Sequence, residues 1–306
     1  MRWKGRKQSS NIEDRRGEAM QTSGGSAGKT AVGGLLLSLF SRGNGKTKLL
    51  LIVAVLLGCM VFQINPISLF VSGPSTNYSA QSNQSNGPAP DPEMKSYIAT
   101  MQGDNDTIWT KILAREGKRY TPPRVVIYSG RTRTAGGMAD AQMGPFYMSA
   151  DKSIYIDPTF FEELHNKFGA KGDFAQAYVL AHENGHHIQD LLGILKKVHS
   201  RQQSVSKKEA NRLSVRLELQ ADFFAGVFSN QAQQKFNFLE PGDLEEALNC
   251  AKQIGDDRLQ KMSGQPVRPN HFTHGTSKQR QRWFKRGFDS GKLSDGDTFS
   301  IPYDQL

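Results

Sequence analysis

Tyr178-Val179-Leu180-Ala181-His182-Glu183-Asn184-Gly185-His186-His187-Ile188 is the stretch on which the reading of this chain turns. It contains H-E-x-x-H, preceded by an apolar turn. On a helix, residues four apart share a face, so His182 and His186 can aim two imidazoles at one ion. Glu183 is one position on, rotated but close enough to reach a water on that ion. Zinc lowers the pKa of bound water toward ~7, and a carboxylate can then take its proton during attack on a carbonyl. The spacing therefore predicts a zinc-dependent peptidase with Glu183 as general base. His187, one residue past His186, points about 100° away and reads as a hydrogen-bonded structural histidine. Gly185 costs about 1 kcal/mol of helix stability relative to alanine, and its missing side chain is read as keeping the site open.

A zinc site needs a third protein ligand. The metzincin pattern would place glycine at position 189 and histidine at 192, where this chain has Gln189 and Leu192. The other common solution is a glutamate on a later helix. Glu218-Leu219-Gln220-Ala221-Asp222 supplies one, inside a helix opened by the capping box Ser206-Lys207-Lys208-Glu209. Glu218 and Asp222 are four apart. Glu218 is assigned as the third ligand, and Asp222 as the acceptor that fixes the tautomer of a ligand histidine.

Around this motif the chain reads as an α+β domain, mainly helical, with a small antiparallel sheet. Helices are expected at Met94–Glu116 (with Tyr97, Met101, Ile108 and Ile112 inward), after Asp157-Pro158, and from Asp173 to about Leu195. Others are expected from Ser206 to about Ser229, near 242–253 and near 276–288. Pro123–Tyr128 reads as a strand. Gly144–Met148 and Ser153–Ile156 read as a hairpin whose strand could pair with an extended substrate. His274 lies in a loop and is a candidate oxyanion donor. Tyr147 and Tyr155 are similar candidates, His165, His199 and His271 read as surface, and Lys278–Arg286 reads as a solvated basic face with Trp283 and Phe284 inward.

The N-terminal part differs in kind. Residues 1–48 carry ten basic side chains against three acidic ones and are rich in glycine and serine. They read as a disordered cytoplasmic tail. The remainder of the chain is near neutral although the whole is +10, so nucleic acid is not expected as a partner. Leu49–Phe62 is continuously apolar and Gln63–Val71 continues it weakly. Residues 49–71 are expected to cross a bilayer of ~30 Å once, as a retained signal anchor. Lys46 and Lys48 at the near end then put the N-terminus in the cytoplasm and the catalytic domain outside it. Residues 72–93 form a Ser/Asn/Pro-rich linker, and residues 94–306 the peptidase domain. The two cysteines, Cys59 and Cys250, cannot build a disulfide framework.

The stretch from Pro123 to Phe284 resembles the bacterial family called putative neutral zinc metallopeptidases. The matching pieces are Gly144-Pro145-Phe146-Tyr147, Tyr155-Ile156-Asp157, Gly172-Asp173-Phe174-Ala175, Ala181–Gln189, Glu218–Asp222 and Phe272-Thr273-His274-Gly275. The arginine-rich lead and single anchor are similar too. The resemblance implies a zincin-like peptidase with Zn²⁺ on His182, His186 and Glu218, acting on a peptide or protein substrate. It also marks a departure: many relatives carry a cysteine pair near Gly136 and Met148, and this chain has neither. The competing functional class is a membrane-anchored interaction module that binds metal without catalysis.

Overall fold

Asp91 opens the first helix of the domain. Its carboxylate accepts the N–H of Glu93 at 2.8 Å, and Pro92 stands in the first turn, where its missing N–H costs nothing. That helix, α1 (Pro92–Arg115), buries Tyr97, Met101, Ile108 and Ile112 as its spacing predicts. The computed structural model describes residues 1–18, 91–264 and 266–306.

After α1 the chain forms β2 (Arg124–Ile127), a ribbon of β3 (Arg131–Thr134) and β4 (Gly137–Asp140), then β5 (Phe146–Met148) and β6 (Ser153–Ile156). A strand from the N-terminal segment, β1 (Ile12–Asp14), joins them. The four-stranded sheet has the order β1-β2-β6-β5. Only β5–β6 is antiparallel, with Tyr147 opposite Ile154, while β1–β2 and β2–β6 are parallel. The expected antiparallel sheet is thus corrected to a mixed one. The hairpin is present, but the β3–β4 ribbon lies between β2 and β6 in sequence, so β6 returns in the same direction as β2. Position 136 faces position 148: a Cβ built on Gly136 would lie 3.0 Å from the Met148 methyl. The two places marked for cysteine by the family resemblance are therefore neighbours.

The helical layer follows. α2 (Thr159–Asn166) starts where Asp157 accepts the N–H and hydroxyl of Thr159. α3 (Asp173–Leu191) carries the H-E-x-x-H motif. Asp173 is its first residue rather than its cap. The N–H of Phe174 is instead taken by Glu246 at 3.1 Å. α3 ends short of Leu195 because Gly193 adopts a left-handed conformation, φ 73°, and a separate helix α4 (Ile194–Gln202) begins. Ser206 caps α5 by accepting the N–H of Glu209. α5 (Lys207–Phe236) runs past Ser229 until Asn237 turns it off, also left-handed. α6 (Asp243–Gln253), α7 (Asp256–Met262) and α8 (Ser277–Ser290) complete the described helices.

The core lies between α1, α3, α5 and α8, filled by Trp109, Phe174, Tyr178, Phe223, Phe224, Phe228 and Phe284. Two glycine contacts set its spacing. A Cβ on Gly185 would lie 2.9 Å from the Ala221 backbone, so α3 and α5 touch at Gly185. Glycine here brings two helices together; it does not hold a cleft open. Gly226 and Gly287 give α5 and α8 the same close approach.

Residues 1–18 correct another expectation. They are not disordered but packed on the domain, with β1 in register on β2. Among the described residues no helix is long and apolar enough to cross a membrane. The expected span 49–71, most of the tail and nearly all of the linker lie outside the described residues.

Candidate metal centre

The closeness of α3 to α5 decides the site. It places Glu218, one turn before Ala221, opposite the two histidines. One nitrogen each of His182 and His186 and one oxygen of Glu218 lie within 4.8 Å of one another. Glu218 Oε2 is 3.1 Å from His182 Nε2, and Oε1 is 3.4 Å from His186 Nε2. The two rings stand 4.8 Å apart and perpendicular. Two imidazoles and a carboxylate with an open side form a donor set that zinc accepts.

Each histidine is turned by a partner on its other nitrogen. His182 Nδ1 lies 2.8 Å from Asp222 Oδ1. His186 Nδ1 lies 2.9 Å from Gln189 Oε1, and the Gln189 amide is fixed because its nitrogen donates to the Leu217 carbonyl at 2.7 Å. Both Nδ1 atoms then carry the proton and both Nε2 atoms face Glu218. Asp222 is wholly buried and is itself held by Arg280, whose Nε and Nη2 donate to it at 2.8 and 2.9 Å; the Tyr178 hydroxyl donates as well, at 2.5 Å. Against the burial penalty, Arg280 and then His182 keep the Asp222 carboxyl down at about 2.

The electrostatics of the cluster call for a cation. Burial opposes a charge on His186, but Glu218 outweighs it and lifts the ring to about 9. Burial likewise opposes the Glu218 carboxylate, yet His186 and His182 hold it well below the usual range. A positive charge on the His186 ring would balance Glu218, and a metal ion would take its place. Glu183 differs from Glu218. Burial, aided by the Glu218 charge, raises its carboxyl above the ordinary value despite both histidines. The Tyr147 backbone amide lies against it.

A cleft of about 690 Å³ opens over the cluster. It is lined by β5 with Met143, Pro145 and Phe160, and by Leu195 and Leu217. Among the described strands β5 is at the sheet edge, so its outer backbone groups have no strand partner there. His274 also lines this cleft, half-exposed. Asp256 builds its loop, accepting the backbone N–H groups of Thr273, His274 and Gly275 at 2.7, 2.6 and 3.0 Å. The same carboxylate stands 3.2 Å from His274 Nδ1 and raises the ring above its ordinary value. His187 faces away, 2.7 Å from the Thr121 carbonyl and 3.1 Å from the Tyr147 hydroxyl, and burial lowers it to about 4. Tyr147 donates to Asp190, and Tyr155 to Asp151 in the β5–β6 turn. His165, His199 and His271 are exposed, with His199 at the cleft rim.

Three participants escaped the sequence reading: Gln189, Asp256 and Arg280. The basic run Lys278–Arg286 puts Arg280 on a solvated face, but it is 2% exposed. Its spacing to Trp283, Phe284 and Gly287 gives the inward stripe of α8, and that stripe was the available signal.

A helix bearing two histidines one turn apart, crossed by a second helix bearing a glutamate, defines the zinc-metallopeptidase class of site. The chain belongs to the family described as putative neutral zinc metallopeptidase, whose sequence model matches residues 1–299. It is 46% identical to the uncharacterised protein YpfJ of Escherichia coli K12 over 299 residues, covering 98% of this chain and 99% of that protein. It is 38% identical to the uncharacterised protein Rv2575 of Mycobacterium tuberculosis H37Rv over 205 residues, 64% of this chain and 67% of that one. No solved structure matches.

Proposed function

We propose that this chain is an endopeptidase whose zinc is held by His182, His186 and Glu218, with Glu183 as general base. The observation that carries the reading is the convergence of those three donor atoms within 4.8 Å on the floor of a cleft edged by a free strand. Zinc, when bound, supplies a Lewis acid and brings the pKa of water toward neutrality. The chain's own groups do the rest. The outer edge of β5 pairs with an extended substrate backbone and sets its register over the cluster. Glu183, whose carboxyl burial raises above its ordinary value, takes a proton from the attacking water. It then returns one to the leaving amine. His274, steadied by Asp256, donates a hydrogen bond to the oxygen on which charge develops.

The test uses the full chain loaded with zinc and a broad peptide library. One zinc per chain is expected, lost in Glu218→Ala. Glu183→Gln should keep the zinc and lose cleavage by at least about 1,000-fold, since both proton transfers go with it. A wild-type protein that binds zinc and cleaves nothing in the library would establish the alternative, a metal-binding interaction module.

A further inference from the structure

The N-terminal segment is an integral part of the domain. Beyond the β1–β2 ladder, Arg2 N donates to the Phe238 carbonyl and Ser9 N to the Ala99 carbonyl, both at 2.8 Å, and Arg15 N to the Ile127 carbonyl at 2.7 Å. Trp3 meets Tyr97 edge-on at 5.3 Å. Arg6 pairs with Asp104 at 2.7 Å, the two side chains 14% and 3% exposed.

The sequence of α1 supports this independently. Gly103 and Asp104 occupy the middle of a helix, where glycine costs about 1 kcal/mol and a buried carboxylate without a partner costs more. Both residues are explained by what lies on them. A Cβ at 103 would collide with the Lys7 carbonyl, and Asp104 answers Arg6. The domain is therefore built to receive residues 1–18.

Between Glu18 and Asp91 the sequence contains the apolar run 49–71, long enough to span a bilayer. A chain that crosses once has its two ends on opposite faces. Strands β1 and β2 are hydrogen-bonded neighbours, about 4.8 Å apart. The two arrangements exclude each other in one folded molecule. We propose that residues 1–18 and the metal-centre domain lie on the same side of the membrane. This replaces the opposite-face arrangement suggested by Lys46 and Lys48, and it does not depend on the peptidase reading.

The test is cysteine labelling of the full chain in cells. Cys59→Ser removes one native thiol, and Cys250 is buried. Into this background go Ser10→Cys or, separately, Ser204→Cys, both at exposed positions. A membrane-impermeant maleimide is applied to intact and to lysed cells. The two proteins should react at the same stage, either both before lysis or both only after it. Labelling of one before lysis and the other only after would overturn the proposal. Amide exchange at residues 12–14 of the full-length protein checks the docking. Protection is expected, and exchange at the rate of an unstructured peptide would sink the premise.

Discussion

Arg280 shows how far a site extends beyond the groups proposed to hold the ion. Asp222 is fully buried, and against that burial Arg280, which meets it with two N–H groups, does most to keep it a carboxylate. Removing one member of such a pair typically costs about 3–5 kcal/mol, because the other is left charged in the interior. Arg280→Met is therefore expected to lose that much stability in urea unfolding. Its zinc affinity should fall about 10–100-fold, since Asp222, which orients His182, loses its own anchor. Adding Asp222→Asn should cost less than the sum of the two single changes, as residues in contact do not add. Asp256 makes a different prediction, because its contacts are to the His274 loop and not to the ligands. Asp256→Ala should lower kcat by roughly 10–100-fold while zinc content stays at the wild-type level. At this scale the sequence was partly legible. His182, Glu183, His186, Glu218 and Asp222 were found by helical spacing, a local property. Gln189 and Asp256 act across a helix contact and through a loop, where no periodicity reports them.

The helix crossing at Gly185 and Ala221 is what turns two separate motifs into one centre. Alanine at 185 would gain about 1 kcal/mol in helix propensity. Its Cβ, however, would lie 2.9 Å from the backbone of α5, which cannot move aside as a flexible side chain can. Overpacking of this kind costs about 1–3 kcal/mol, so the net effect is loss. Gly185→Ala should lower Tm and weaken zinc binding together, because the strain falls between the two ligand-bearing helices. A rise in Tm with full zinc affinity would show that the crossing has room. Helix positions were well read from caps and stripes. The errors had physical causes: the end of α3 was set by Gly193, and the cap of α3 comes from Glu246, 72 residues distant. The parallel pairing in the sheet was hidden for the same reason, since local alternation marks a strand and says nothing of its partner.

For the whole domain, the proposed metal binding is linked to folding. The three donors come from two helices that the unfolded chain does not hold together, so zinc held there would bind the folded form. At free zinc about 1,000 times the Kd, this linkage is worth about 4 kcal/mol. Domains of this size shift by about 2–4 °C per kcal/mol. Stripping the metal with a chelator should thus lower Tm by roughly 10 °C in the wild type and leave Glu218→Ala unchanged; calorimetry with and without chelator reads both. Composition was the weakest guide at this scale. Residues 1–18 share the glycine and arginine content of a disordered tail, and what orders them is a surface supplied by α1 and β2, which composition does not register.

The pairing of Ile12 with Val125 also imposes an order of events during synthesis. The first strand leaves the ribosome long before its partner exists. At about 5–20 residues per second, roughly 5–25 s pass before the partner strand is made. Throughout that interval β1, the earliest strand of the polypeptide, is without its partner. Completion of the domain therefore waits on a long-range closure, of the kind that makes folding slow. A bulky tag fused ahead of Met1 is expected to slow this closure, read as slower refolding of the tagged protein.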